Sequence, residues 1–261
     1  LRNNKADVTD KDGKFIFVGK RTHAIRVEIN DEAKDFDQAL QSYLKQGYAQ
    51  ARQLGKAGNA IGFVMTVYRK LAASSVQAIY NSLVRRKARL EGMISGEIEY
   101  AKEDERYAGE FEEISISQTD DEFFAGELPL LEELIERCQR LIPHDRKLKE
   151  FMSSMLHSIL NESPNEKVLI FTEYRSTQDY IQQALAQKFG VDKVELINGS
   201  MKAIDRREAI KRFEGNGQFL ISTEAGGEGI NLQSQCHIMV NYDLPWNPMR
   251  LVQRIGRLYR Y

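Results

Sequence analysis

Three arginines, Arg254, Arg257 and Arg260, recur at a spacing of three in Gln253-Arg-Ile-Gly-Arg-Leu-Tyr-Arg260. Residues three apart share a helical face, so on a helix the guanidiniums can converge on one target. A planar cation that keeps its proton suits a nucleotide triphosphate, whose terminal phosphoryl group gathers charge as it leaves. A solvated basic helix would show the same pattern, and the residues upstream separate the two readings. There Phe219-Leu-Ile-Ser-Thr-Glu-Ala-Gly-Gly-Glu-Gly-Ile-Asn-Leu232 runs from an apolar stretch into three glycines within four residues. A buried strand feeding a turn that lacks Cβ atoms lets backbone N–H groups approach phosphate or ribose. Alone such a turn only reverses the chain. Followed about 25 residues later by the arginines, it points to a nucleotide.

The elements that must position these residues alternate. After Pro164, apolar strands are expected at 168–172, 194–197, 219–222 and 237–241, with helices at 177–188 and 203–214. Short apolar strands joined by helices argue for an α/β fold, a parallel sheet covered on both faces. Open sheets of this kind bind ligands at the carboxyl ends of their strands. Thr172 to Tyr174, Gly199-Ser200, the glycine turn and Tyr242-Asp243 all fall there. In Asp243-Leu-Pro-Trp-Asn-Pro248, Asp243 and Trp246 are expected to build a turn that packs beneath the arginine helix.

Before Pro164 the pattern is mainly helical. A strand-like pair is expected at 15–18 and 24–29, then helices from Asp31, as N-cap, to about Leu90. That region ends in Arg85-Arg86-Lys87-Ala-Arg89, a basic cluster readable as a backbone contact for nucleic acid or as a solvated helix end. Two more helices are expected at 130–142 and 145–160, separated by Pro143.

Composition narrows the class. Cys138 and Cys236 are too few for a disulfide framework and lack metal-ligand spacing, so no metal site is expected. No apolar run reaches membrane-spanning length and no signal peptide is seen at Leu1, so an intracellular, reducing setting is expected and no membrane partner. The net charge of −1 conceals an asymmetry: 91–127 carries thirteen acidic and two basic residues, net −11, so everything else carries +10. A basic body suits a phosphate backbone. The acidic stretch, rich in Gly, Ser and Thr, reads as a flexible linker.

Three segments carry a resemblance. Lys167-Val-Leu-Ile-Phe-Thr-Glu-Tyr174 resembles helicase motif IV of superfamily 2, Ser222 to Leu232 resembles motif V, and Gln253 to Arg260 resembles motif VI. Together they are similar to the second RecA-like lobe of the Swi/Snf-type ATPases, which translocate on double-stranded DNA and remodel protein–nucleic acid complexes. The match is strong over 140–261 and looser over 1–90. It implies a RecA-like open sheet at 128–261, the end of a first lobe at 1–30, a helical protrusion at 31–90 and the acidic linker at 91–127.

The resemblance also implies roles. Arg257 and Arg260 would be arginine fingers on the γ-phosphate of ATP, with Glu228, Gly229 and Gln253 bordering the nucleotide. Thr172, Tyr174, Arg175, Ser200, Ser222 and Thr223 would contact the nucleic acid backbone. Arg254 stands between a nucleotide contact and a structural ion pair. Implied partners are double-stranded DNA, a first RecA-like lobe and a complex being remodelled, in a cytoplasmic setting that is nucleoid-associated if prokaryotic. ATP and Mg²⁺ would be held mainly by the first lobe, since these 261 residues contain no G-x-x-x-x-G-K-[ST] loop. Alone, the chain is therefore expected not to hydrolyse ATP. A strand-separating helicase, or a nucleic-acid-binding module without catalysis, would share these motifs.

Overall fold

The computed structural model describes residues 22–93 and 121–258, apart from Glu228, Asn231, Gln233 and Ser234. Glu228, Arg260, the expected strand at 15–18 and the acidic run 94–120 lie outside the described residues. Residues 24–29 are irregular, not the expected strand.

Four helices form the first layer. Helix α1 (Asp31–Leu54) is capped by Asn30, one residue earlier than expected, whose side chain accepts from the Ala33 amide at 3.1 Å. Helices α2 (Asn59–Ser74) and α3 (Val76–Leu90) are split at Ser75, an extended residue whose Oγ caps the Ala78 amide. Helix α4 (Glu127–Leu141) places Leu131, Leu134, Cys138 and Leu141 on one stripe. That stripe packs into the same core as Leu40, Tyr43, Val67, Leu71, Ile79 and Leu83. The sequence boundary at 128 therefore misplaces α4, which belongs to the helical layer.

A buried ion pair explains the misplacement. Arg86 donates from Nε to Glu127 Oε1 at 2.9 Å and from Nη2 to Oε2 at 2.8 Å, both side chains being fully buried. Tyr43 Oη and the Phe123 amide complete the carboxylate's partners, and Phe123 lies 3.7 Å beneath the guanidinium. Phe123, Phe124 and Glu127, the last residues of the expected flexible linker, are thus core. The basic cluster fares likewise: Arg86 and Arg89 are buried, and Lys87 pairs with Glu132 at 2.8 Å.

The second layer is the α/β unit. Helix α5 (Arg146–Met155) runs into a single π turn (Leu156–Leu160). Then come β1 (Val168–Phe171), α6 (Arg175–Phe189), β2 (Val194–Ile197), α7 (Ala203–Glu214), β3 (Phe219–Ser222), β4 (Ile238–Asn241) and α8 (Pro248–Leu258). The strands form one parallel sheet in the order β2-β3-β1-β4, with Val168 opposite Phe219 and Ile238. Alternate residues face opposite layers. Val168, Ile170, Phe219 and Ile221 pack on α5 and α6, whereas Leu169, Phe171 and Leu220 pack on α7 with Ile230 and Leu232. The RecA-like α/β expectation holds. Among the described residues no helix is long and apolar enough to cross a membrane.

Candidate functional site

Helix α8 leaves the carboxyl end of β4 through the turn 242–247 and lies along the sheet rim. Arg254 points inward and is 1 % exposed. Its Nε donates to Glu224 Oε2 at 2.8 Å, and Nη1 donates to Asn241 Oδ1 and to the Asp243 carbonyl, each at 3.0 Å. The guanidinium also stands 5.1 Å from the centre of the Phe171 ring. A buried charge is tolerated when it is paired and hydrogen-bonded, so Arg254 is an anchor.

Arg254 and Arg257 therefore do not converge. Gln253 and Arg257, four apart, share a different face from Arg254 and Leu258. Gln253 is exposed and Arg257 half-buried. Among the described residues the Arg257 side chain takes part in no ion pair or hydrogen bond, its carbonyl accepting from the Leu232 amide.

The glycine turn after β3 is built by close packing. A Cβ on Gly226 would lie 2.4 Å from the Ile197 carbonyl oxygen, and one on Gly227 2.8 Å from the Phe171 ring. Thr223 accepts the Gly226 amide on Oγ1, while its own amide donates to the Ile197 carbonyl at 3.1 Å. Two of the three glycines are thus required by neighbouring backbone and ring rather than by ligand approach. Gly229 differs: φ is +75° and, among the described residues other than its chain neighbours, nothing lies within 4 Å of its missing Cβ. It is the glycine with open space beside it.

The expected backbone contacts divide in the same manner. Ser200 is exposed, and Arg175 is half-buried at the start of α6. Thr172, Ser222 and Thr223 are fully buried, with Thr172 Oγ1 donating to Asp243 Oδ2 at 2.6 Å and Ser222 Oγ to the Thr223 carbonyl. The Tyr174 ring is 1 % exposed and sits in the helical core. The side chains of these four cannot reach a phosphate in this conformation: Tyr174 lies in the helical core, Thr172 is closed off by Asp243, and Ser222 and Thr223 lie beneath the glycine turn.

Several site residues escaped the sequence reading. Gln178 of α6 donates from Nε2 to the carbonyls of Ile197 and Ile221 and accepts from Asn198, whose Oδ1 in turn accepts Ser200 Oγ at 2.9 Å. A buried amide thus ties the ends of β2 and β3 to the exposed serine. Glu173, 8 % exposed, has its carboxyl pushed up to about 7 by burial and then by Asp243, against Arg254, Arg250 and Lys70. Asp243 builds the turn as expected, but Trp246 is 65 % exposed and does not pack beneath α8. No spacing rule marks Gln178 or Glu173, since their partners are backbone carbonyls and distant charges.

Residues 150–261 match the helicase conserved C-terminal domain. The chain is 55 % identical over 97 residues to the uncharacterized ATP-dependent helicase YqhH of Bacillus subtilis, a match covering 37 % of this chain and 17 % of that protein. It is 38 % identical over 104 residues to the RNA polymerase-associated protein RapA of Vibrio atlanticus, covering 39 % of this chain and 10 % of RapA. The chain thus spans less than a fifth of the length of either relative. The Hef helicase domain of Pyrococcus furiosus shares the fold, with a TM-score of 0.55 at 15 % identity over 92 % of this chain and 53 % of that one.

Proposed function

We propose that this chain, whose residues 150–261 match the helicase conserved C-terminal domain, forms the second half of an ATP-driven motor of the Swi/Snf type. It moves along double-stranded DNA and remodels protein–nucleic acid complexes. ATP supplies the phosphoanhydride bond whose hydrolysis drives movement, and a first lobe holds most of the nucleotide and its Mg²⁺. From this chain Arg257, with Arg260 three residues on, reaches across a cleft to the γ-phosphate. There a guanidinium offsets charge building on the departing phosphoryl oxygens. Gln253, Glu228 and Gly229 border the nucleotide. Ser200 and Arg175 touch the backbone of the tracking strand, while Thr172, Ser222 and Thr223 support those contacts from beneath.

The observation that carries this reading is the division of α8 into two faces. Arg254 fixes the helix to Glu224, Asn241 and Asp243, and the neighbouring face presents Gln253 and Arg257 away from that anchor. A cation on a rigidly held helix needs little reorganisation at the moment of reaction, which is the condition for electrostatic catalysis. RapA is by name an RNA polymerase-associated protein, which fits a remodelling role.

The test uses a protein carrying both halves. Arg257→Ala and Arg260→Ala should each lower DNA-stimulated ATP turnover about 10³–10⁵-fold while ATP binding persists. Normal turnover in either variant removes that residue from the role. The motor should displace a triplex strand without unwinding a forked duplex; unwinding would make it a strand-separating helicase instead. The 261-residue chain alone should show no DNA-stimulated hydrolysis.

A further inference from the structure

Asp243 faces two ways. Its carboxylate meets the helical layer: Oδ2 accepts from Ser74 Oγ and from Thr172 Oγ1, each at 2.6 Å, and Oδ1 accepts the Glu173 amide at 2.9 Å. Its backbone carbonyl accepts Arg254 Nη1 at 3.0 Å, and Oδ1 stands 4.0 Å from Arg254 Nη2. Ser74 is the last residue of α2, and Thr177 of α6 binds Ser74 and Ser75 with hydroxyl separations of 2.8 Å. Lys147 of α5 closes the same junction, donating to the carbonyls of Ala73 and Ser74 at 3.0 and 2.6 Å.

The junction is nearly dry. Ser74, Ser75, Thr172 and Thr177 are at most 2 % exposed, and the Asp243 side chain 9 %. In such surroundings a charge-assisted hydrogen bond is short and strong, and a lost donor leaves a carboxylate under-satisfied. The end of α2 is gripped twice, through the Ser74 hydroxyl and through its carbonyls on Lys147. A displacement of α2 must either break these bonds or carry Asp243 with it, and Asp243 carries Arg254.

We propose that Asp243 is a positioning residue that makes the helical layer and helix α8 move as one body. A load or partner on α1 to α4 is thereby delivered to the face of α8 that bears Arg257. The delivery to Arg257 rests on the reading of that residue given above; the mechanical coupling stands on the junction itself. Buried contacts of this kind shift between discrete arrangements rather than deform continuously, so the helical layer either holds α8 in place or releases it.

The experiment is amide-resolved hydrogen exchange on the 261-residue chain, comparing Ser74→Ala and Asp243→Ala with the unaltered protein. Both variants should quicken exchange in α8 around Arg254 about tenfold or more, while amides of α7, on the face of the sheet opposite α5 and α6, keep their rates. Ser74→Ala removes one hydroxyl and carries the test alone if Asp243→Ala does not fold. Acceleration confined to the ends of α2 and β1, or spread uniformly through α7 as well, would overturn the coupling.

In a protein with both halves, Ser74→Ala should lower kcat for DNA-stimulated ATP hydrolysis about tenfold with KM for ATP unchanged. Coupled exchange together with normal turnover in Arg257→Ala would sink the arginine assignment and leave the coupling standing. Uncoupled exchange with an inactive Arg257→Ala would sink the coupling alone.

Discussion

Arg254 Nε lies 2.8 Å from Glu224 Oε2, joining the helix that carries the arginines to the loop that carries the glycines. The pair is enclosed, with 1 % of the arginine and 17 % of the glutamate side chain exposed. One ion pair therefore sets the relative position of the two sequence features that first pointed to a nucleotide. It also removes Arg254 from the set of side chains that can touch one.

Arg254 and Arg257 should separate in a stability measurement. Arg254→Ala leaves Glu224 and the Asp243 carbonyl without their donor, and breaking a buried pair costs about 3–5 kcal/mol. Arg257→Ala removes a half-buried side chain with no partner among the described residues and should stay within about 0.5 kcal/mol. Denaturant unfolding of both variants gives the comparison. Equal losses would mean that Arg257 is also structural.

Glu173 should impose a pH dependence. Its carboxyl titrates near 7 in the fold against an ordinary 4.5. Between those values the native chain keeps a proton that the unfolded chain has lost, so stability falls as pH rises through this window and levels off above it. At about 1.4 kcal/mol per pKa unit the whole effect is at most about 3 kcal/mol. The charges around the carboxyl are Asp243, Arg254, Arg250 and Lys70. Glu173→Gln should flatten the melting temperature between pH 5 and 7.5, and above pH 7 it should melt higher than the unaltered chain. An unchanged slope in the variant would place the titration elsewhere.

Gly226 and Gly229 should respond differently to alanine. At Gly226 a Cβ meets the backbone of Ile197 and Asn198 at 2.4–2.6 Å, which cannot move without shifting the end of β2. The cost is about 1–3 kcal/mol or more, and the loop should rearrange. At Gly229 there is room, and only the left-handed φ opposes alanine, by about 1 kcal/mol. Thermal unfolding distinguishes them. Loss of ATP turnover without loss of stability in Gly229→Ala would support its place beside the nucleotide.

Glu127→Gln tests the helical layer. The substitution keeps the shape but removes the charge that neutralises Arg86, a residue with no exposure. A loss of about 3 kcal/mol or more is expected. Double substitution of Arg86 and Glu127 by Met and Leu should recover much of it, because the desolvation of both charges disappears. If the double variant is no better than the single one, the pair's remaining hydrogen bonds to Tyr43 and Phe123 carry the stability instead.

What the sequence determined by itself was local. Strands at 168–171, 194–197, 219–222 and 238–241 follow from short apolar runs bounded by turns, and α7 falls at the expected residues. The parallel sheet follows from their alternation with helices, and the motif spacing placed the candidate site at its carboxyl rim. Only the tertiary structure decided which side chains of those motifs remain available. Arg254 and Arg257 are both arginines at motif spacing, yet one is sealed against Glu224 while the other is left half-exposed. Thr172, Tyr174, Ser222 and Thr223 look like surface contacts in sequence but are buried, Tyr174 in the helical core and Ser222 and Thr223 beneath the glycine turn. The same holds for Arg86 and Glu127, drawn from a basic cluster and an acidic run into one buried pair. Periodicity is set by the backbone and can be read along the chain. Burial of a charge depends on a partner that folding brings from 30 or 41 residues away, and no local pattern encodes that distance.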